Sequence, residues 1–297
     1  MSSEKAYLAL LASILKEDSE GRNTRNGKVF SIFGPTLEVD LREGFPLLTT
    51  KRMFWKGIVE ELLFFLRGDT DASKLATAGV HIWDGNTTPE FLASRGLPYE
   101  EGDMGPMYGW NWRFFGAAYE GKKISYKGKG FDQLAEVLQL LKEDPTSRRI
   151  MMTTFDPSKV KEAVLPPCHS LILQFYVKDG FLSACMYQRS ADAFLGLPFN
   201  LASTSLLVFL IARLSGLLPG KILFHLGDTH IYEEHLEAVK KQLTREPYPF
   251  PQLGVIGPIP AEGTVEEKLS WLENLDFPRF DLRDYRYHPG IKAPLVV

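Results

Sequence analysis

The chain has 297 residues, of which 44% are apolar and 12% aromatic, enough to bury a large core. It carries 34 basic and 37 acidic side chains, so the formal net charge is -3. This balance gives no electrostatic reason to expect nonspecific binding to nucleic acid or anionic membranes. The composition indicates a globular protein that meets any phosphate group through a few local residues.

Cysteine content and the N-terminal sequence indicate the cellular compartment of the protein. The two cysteines, Cys168 and Cys185, are too few for a disulfide framework. Residues 1–16 lack the basic start and the small-residue cleavage site of a signal peptide. The most apolar stretch, residues 206–212, is too short to span a bilayer and predicts a buried core helix. We therefore expect a cytoplasmic protein with free thiols.

Apolar periodicity predicts the secondary structure in chain order. Helical spacing marks residues 3–16, 56–67, 71–78, 131–143, 201–215 and 229–244. Strand patterns mark residues 29–40, 149–155, 170–177, 181–188, 222–226 and 280–287. The third and fourth strands are separated by Lys178, Asp179 and Gly180, which predicts a β-hairpin.

The chain shows no internal repeat and no flexible linker, which predicts a single domain over residues 1–297. Helices and strands do not alternate regularly as in a doubly wound parallel sheet, so the predicted fold class is α+β. The proline-rich segment 246–278 is expected to wrap the surface. The apolar C-terminus, residues 291–297, is expected to dock on the protein rather than extend into water.

Three histidines near two glutamates raise the question of a metal site. On the predicted helix 229–244, His230 and His235 are five residues apart and point about 140° away from each other. The segment also misses the two-histidine zinc motifs by one residue. No metal site is predicted. The glycines of residues 128–133 lack the third glycine of a dinucleotide-binding fingerprint and indicate a loop.

Cys168 is the candidate nucleophile. It follows two prolines, which stiffen its approach, and immediately precedes a predicted strand. Its neighbour His169 or a nearby arginine would favour the thiolate form. The alternative is that Cys168 is a small buried apolar residue, as free cysteines commonly are. Cys185 lies within an alternating strand pattern and is interpreted as core.

Glu61 lies on a predicted helix with apolar residues on nearly every side. Partial desolvation on such a helix raises the pKa of a carboxyl group and suits it to proton transfer near neutral pH. The alternative is an exposed glutamate at a helix end, which is how we interpret Glu60. The local sequence leaves both readings open for Glu61.

Several polar residues stand at the end of a predicted strand and the entrance to the most apolar helix. They are Arg189, Ser190, Asp192 and Asn200. Burying such groups is costly unless they are paired, so they are candidate ligand contacts, although Asn200 or Ser203 also suits a helix cap. Arg148 and Arg149 are either a solvated pair or an anion clamp, since guanidinium groups bind phosphate through two matched donors.

Taken together, these segments resemble the thymidylate synthase family over nearly the whole chain. The resemblance is carried by ten ordered blocks, at residues 45–52, 60–66, 82–84, 102–109, 147–149, 165–169, 188–190, 196–200, 227–232 and 288–294. They include Pro-Pro-Cys-His at 166–169, Gln-Arg-Ser at 188–190 and Gly-Leu-Pro-Phe-Asn at 196–200.

The resemblance implies a three-layer α/β sandwich whose six-stranded sheet packs against its copy in an obligate homodimer. It implies that Arg189, Ser190 and an N-terminal arginine hold the phosphate of deoxyuridine monophosphate (dUMP). Arg148 and Arg149 would reach the same phosphate from the other subunit. Asn200 would read the uracil edge, and His230 and Tyr232 would bind the ribose hydroxyl. No membrane and no specific nucleic acid is expected as a partner.

The resemblance also implies the chemistry. Cys168 would add to carbon 6 of uracil, while Tyr108 and Glu61, with His169 nearby, would serve proton transfer. The one-carbon and hydride donor would be 5,10-methylenetetrahydrofolate. Its pocket would be formed by Ile82, Trp83, Leu165, Asp192, Leu195, Gly196 and Phe199, and the C-terminal segment would close over it.

The chain departs from the family pattern at a few positions. The N-terminal arginine is either Arg22 or Arg25, and we favour Arg25. Thr204 replaces a common tyrosine behind Asn200 and bears on base specificity, and Phe64 and residues 233–234 also differ. One alternative function is a deoxypyrimidine monophosphate hydroxymethylase, which would use water in place of hydride. Another is a nonenzymatic nucleotide- or RNA-binding relative.

Overall fold

The computed structural model describes residues 2–296. Its α-helices are α1 (Ser3–Glu17), α2 (Trp55–Leu66), α3 (Ser73–Thr77), α4 (Pro89–Ser94), α5 (Gly109–Phe114), α6 (Gln133–Glu143), α7 (Gly196–Leu214), α8 (Leu236–Leu243) and α9 (Val265–Glu273). Its strands are β1 (Arg22–Thr24), β2 (Gly27–Phe33), β3 (Thr36–Asp40), β4 (Met151–Thr153), β5 (Ile172–Lys178), β6 (Phe181–Asp192), β7 (Leu218–Tyr232), β8 (Gln252–Val255) and β9 (Phe280–Arg283). A mixed sheet packed against helices confirms the α+β prediction.

The main sheet has seven strands within the described residues, one more than predicted. Its order is β1-β2-β7-β6-β5-β4, and β3 also pairs with β7. Strands β2 and β3 pair with different halves of β7, so they lie end to end and the sheet is six strands wide. Pro35, which has no N–H for the ladder, separates them. The predicted strand 29–40 is therefore two strands.

Helix α7 forms the centre of the core. It packs against β6 and β7 on one side and against α2 on the other, and most of its residues are buried. Within residues 2–296 it is the one helix long and apolar enough to cross a membrane, but its burial confirms the predicted core helix. It begins at Gly196, five residues before the predicted start, so Phe199 and Asn200 lie in its first turns.

The predicted helix 229–244 is wrong over its first part. Residues 218–232 form β7, a short 3-10 turn follows at Glu233–His235, and α8 begins at Leu236. The strand is favoured because Ile222, Phe224 and Leu226 are buried at alternate positions between β3 and β6. His230 therefore lies on a strand, and the helical argument against a metal site does not apply. Within residues 2–296, no three potential metal ligands converge.

The C-terminal third is more regular than the proline content indicates. The segment 246–278 includes β8 and α9, and α9 begins with a capping box between Thr264 and Glu267. The chain end docks as predicted: the carbonyl of Pro294 lies 2.8 Å from His235 Nε2, and Ile291 packs against the core. Val297 lies outside the described residues.

Candidate active site

Cys168 lies directly beside Tyr108. The Cys168 backbone N–H donates to Tyr108 Oη at 3.1 Å, and Sγ lies 3.4 Å from the same oxygen. Tyr108 adopts φ +34° just before α5, a region that disfavours side chains. The next residue is Gly109, where a Cβ would lie 2.1 Å from the Phe65 carbonyl oxygen. The glycine therefore allows α5 to touch the backbone of α2, which places Tyr108 at the thiol.

Aromatic stacking fixes the Tyr108 ring. It stacks on His169 at a centroid distance of 4.5 Å and on Phe65 at 5.0 Å. His169 is buried, and burial lowers its pKa to about 4, so its ring is neutral near pH 7. The two rings thus form a rigid, uncharged wall beside Cys168.

The environment of the thiol has opposing effects on its ionisation. Burial raises the pKa of Cys168, whereas the Tyr108 hydrogen bond and the positive charge of Arg189 act in the opposite direction. The net result is a raised pKa, so the resting sulfur is protonated near neutral pH. A proton acceptor is therefore needed to form the thiolate that attacks a substrate.

Glu61 supplies a carboxyl group suited to proton transfer. It is buried on α2, and burial raises its pKa to about 7. Trp83 Nε1–H donates to its Oε1 at 2.8 Å, and the Trp83 ring lies 6.3 Å from that of Tyr108. Of the two readings that the local sequence leaves open for Glu61, the structure shows the desolvated one. We call Glu61, Tyr108, Cys168 and His169 the Cys168 cluster.

Arg189 holds the loop that carries the nucleophile. Its guanidinium donates to the carbonyls of Pro166 and Pro167, both at 2.9 Å. Its backbone N–H donates to the Cys168 carbonyl at 3.0 Å. The rigidity that the two prolines predict is thus reinforced by an arginine twenty residues later, at the end of β6.

Gln188 links two other predicted substrate contacts. Its Nε2 donates to the Ser190 carbonyl at 3.0 Å and to Asn200 Oδ1 at 2.9 Å. This bond joins β6 to the first turns of α7 and fixes the orientation of the Asn200 amide. The Asn200 side chain makes no N-cap hydrogen bond, because it lies inside α7 rather than before it. Sequence reasoning missed Gln188, although it stands in the Gln-Arg-Ser block.

The predicted cofactor contacts share one feature. All seven are partly exposed at the rim of the core: Ile82, Trp83, Leu165, Asp192, Leu195, Gly196 and Phe199. Burial would raise the pKa of Asp192, but His235 and the backbone N–H groups of Leu195 and Phe194 bring it below its usual value. An ionised carboxylate among apolar surfaces is suited to a flat ligand with hydrogen-bond donors.

His230 and Tyr232 lie two residues apart on β7 and therefore on one side of the strand. Their rings contact edge to face at 5.1 Å. His230 Nδ1 lies 2.9 Å from Asp228 Oδ1, and Asp228 also pairs with Arg22. Arg25 is exposed, and its charge opposes a rise in the pKa of Tyr232 that burial causes. Within residues 2–296, Arg22 is engaged by a carboxylate and Arg25 is not.

Arg148 and Arg149 are exposed just before the edge strand β4. Neither guanidinium has a hydrogen bond or an ion pair within residues 2–296, and Arg148 makes only a backbone contact, from Gln174 to its carbonyl. These two arginines are not brought into the Cys168 cluster of the same chain. A cavity of about 690 Å³ beside Arg113 and Tyr126 likewise excludes the cluster.

Two buried residues near Asp192 were not predicted. Lys51 donates to the Phe194 carbonyl and lies over its ring, and burial lowers its pKa to about 7. His235 is fully buried, with Nδ1 3.7 Å from Asp192. No local sequence signal identifies either residue, because both become polar core residues only through tertiary contacts.

Comparison with known proteins identifies the family of the chain. The family model described as "Thymidylate synthase" matches residues 5–297. The chain is 46% identical over 295 residues to a thymidylate synthase of Human herpesvirus 8, covering 99% of this chain and 84% of that relative. It is 44% identical over 300 residues to the Homo sapiens thymidylate synthase, covering 99% and 91%. It is also 49% identical over 254 residues to a bifunctional dihydrofolate reductase-thymidylate synthase of Zea mays, covering 85% of this chain and 48% of that longer protein. The family prediction is confirmed, and the chain belongs to the thymidylate synthase family of methyltransferases.

Proposed function

We propose that the protein converts dUMP to thymidylate with 5,10-methylenetetrahydrofolate and releases dihydrofolate. The observation that carries this proposal is the Cys168 cluster, in a chain of this family. A thiol, a tyrosine hydroxyl 3.4 Å away and a buried carboxyl with a pKa of about 7 are assembled in one place. These are a nucleophile and groups for proton transfer.

The chain's own residues account for activation of the pyrimidine. Cys168 Sγ bonds to carbon 6, which moves electron density to carbon 5 and makes that carbon nucleophilic. Glu61 accepts or returns protons near neutral pH, and Tyr108 relays them to the sulfur or the ring. The Tyr108 oxygen accepts from the Cys168 backbone N–H, so its own O–H is free to donate.

The predicted folate contacts fit such a ligand. Trp83, Leu195 and Phe199 pack on the core with one side and retain exposure on the other, and Asp192 offers an ionised carboxylate. When bound there, methylenetetrahydrofolate supplies the one-carbon unit and the hydride. Trp83 is held by Glu61 and would exclude water from the reacting carbon.

Recognition of dUMP uses three groups of residues. Asn200, oriented by Gln188, binds the uracil edge, and His230 with Tyr232 binds the ribose. The phosphate is bound by Arg189, Ser190 and Arg25. Among the described residues Arg25 pairs with no carboxylate, which supports it over Arg22, whose guanidinium pairs with Asp228.

A homodimer completes the site in this proposal. The sheet face opposite α7 exposes Ile172, Tyr176 and Tyr187, of which Ile172 and Tyr187 are direct partners across two strands. An apolar sheet face of this kind requires a cover, which a second copy provides. Arg148 and Arg149 then reach the phosphate in the partner's site. We further propose that residues 1–297 form one domain that acts in the cytoplasm.

The test is an assay of purified protein with dUMP and methylenetetrahydrofolate in which both products are identified. Thymidylate and dihydrofolate in equal amounts support the proposal. A hydroxymethylated nucleotide with tetrahydrofolate would instead identify a hydroxymethylase. Nucleotide binding without any turnover would indicate a nonenzymatic relative.

A further inference from the structure

Ser170 lies behind the Cys168 cluster. Its Oγ is 3.0 Å from His169 Nδ1, and its side chain is buried. The residue adopts φ +53°, a left-handed conformation that serine rarely takes. Within residues 2–296, His169 Nδ1 is the only hydrogen-bond partner of the Ser170 hydroxyl. The strained backbone of Ser170 therefore coincides with a specific hydrogen bond to His169, the residue next to Cys168.

The surroundings determine the direction of this hydrogen bond. Thr154 Oγ1–H donates to the backbone carbonyls of His169 and Ser170, at 3.2 and 3.0 Å, so these two carbonyls already have a donor. The buried Ser170 hydroxyl has one proton and needs an acceptor, because an unpaired buried donor is costly. The acceptor within reach is His169 Nδ1.

We propose that Ser170 donates its hydroxyl proton to His169 Nδ1 and thereby fixes His169 as the neutral tautomer protonated on Nε2. Ser170 is then a positioning residue, and His169 is a hydrogen-bond donor towards the substrate rather than a proton-accepting base. Stacking on Tyr108 prevents the ring from turning to exchange the two nitrogens. The role of His169 towards the substrate rests on the proposed function, whereas the tautomer of His169 does not.

The tautomer is measured on the substrate-free protein by ¹⁵N NMR of labelled histidines, with His169→Gln to assign the signals. We expect a proton on Nε2 and none on Nδ1 at pH 7. Ser170→Ala should shift the Nδ1 resonance towards that of an unbonded ring nitrogen. A proton on Nδ1 in the parent, or identical His169 signals in Ser170→Ala, would overturn the proposal.

Kinetics test the positioning role. Ser170→Ala should lower kcat about 2- to 15-fold, the range for one neutral hydrogen bond, with a smaller effect on the KM for dUMP. Ser170→Gly relieves the positive φ and should behave the same if the hydroxyl matters. Ser205→Ala removes a buried, unpartnered hydroxyl and is the matched control.

In a His169→Gln background, Ser170→Ala should cause no further loss of kcat, because both changes remove one interaction. Additive losses, or parental activity in Ser170→Gly, would overturn the positioning role. If no variant and not even the parent turns over dUMP, the proposed function fails, and the NMR result alone decides the tautomer.

Discussion

The Cys168 cluster and the arginine pair Arg148-Arg149 differ in how completely one chain assembles them. Three residues of the cluster, Glu61, Tyr108 and His169, are buried, and Tyr108 contacts both Cys168 and His169 directly. The two arginines are exposed, and their guanidinium groups have no partner within residues 2–296. Groups that make and break bonds need a dry, rigid environment that changes their pKa values, whereas the proposed anion clamp must stay open until its ligand and the partner of the proposed dimer are present. This difference predicts that substitutions in the Cys168 cluster and substitutions in the arginine pair have different effects on the activity of mixed dimers.

The largest effect is expected when the cluster loses its nucleophile. Cys168→Ala should lower kcat by at least about 10⁴-fold, since removal of a covalent nucleophile removes the pathway itself. Binding of dUMP, measured by calorimetry, should persist. Cys185→Ala is the matched control and should retain most activity, because Cys185 lies on β6 away from the cluster. Substantial turnover by purified Cys168→Ala would remove Cys168 as the nucleophile.

Mixed dimers test the comparison directly. Arg148→Glu should be inactive alone, because it places a negative charge at the phosphate. Heterodimers formed with Cys168→Ala should recover about 50% of parental activity per dimer, since each has one intact site of two. The measurement is turnover of dimers purified through two different tags.

The matched control for this experiment mixes Cys168→Ala with Glu61→Gln. Both residues belong to the cluster of one chain, so neither site of the mixed dimer is intact and activity should not return. If the heterodimers of Arg148→Glu and Cys168→Ala are inactive, the arginines do not act in the partner's site.

Prediction from the sequence succeeded where neighbouring residues in the chain determine the property in question. The apolar helix around Glu61 makes desolvation one of two readings of that residue, and burial in the structure raises its pKa to about 7. The two prolines before Cys168 predict rigidity, although Arg189 supplies part of it. The prediction was wrong where pairing with distant strands determines the structure. The sequence pattern places His230 on a helix, but the residue lies on β7. The stacking of His169 on Tyr108, sixty-one residues apart, has no local signal at all.

A smaller effect is expected at Asn200, whose amide is oriented by Gln188. Asn200→Asp should shift the ratio of kcat/KM values from dUMP towards deoxycytidylate by about one to three orders of magnitude, since mispaired buried groups cost about 1–3 kcal/mol each. A protonated carboxyl matches the donors and acceptors of cytosine, and Gln188 can still donate to it.

Asn200→Ala is the control for this change. It should weaken the reaction of both nucleotides without favouring cytosine. If the ratio is the same in Asn200→Asp as in the parent, another residue reads the base. Thr204, which is buried behind Asn200 on α7, would then be the first residue to change.

The smallest effect concerns stability rather than turnover, and it tests whether the cluster is as desolvated as its contacts indicate. Burial raises the pKa of Glu61 from 4.5 to about 7. Below pH 4.5 the carboxyl is protonated in both states and has no effect on the pH slope. Between these values the unfolded chain releases the proton and the folded chain keeps it, so the free energy of unfolding falls as pH rises.

Glu61→Gln keeps an acceptor for Trp83 but cannot ionise. Relative to the parent, it should become more stable by about 1–3 kcal/mol between pH 4.5 and pH 8. Urea unfolding measures this difference, with parent and variant at the same protein concentration so that dissociation of the proposed dimer enters both measurements alike. Glu60→Gln, the same change one residue away, should follow the parent. If Glu61→Gln also follows the parent, Glu61 ionises as freely in the fold as in water, and its carboxylate would be a weaker base towards the Cys168 thiol than a pKa of about 7 provides.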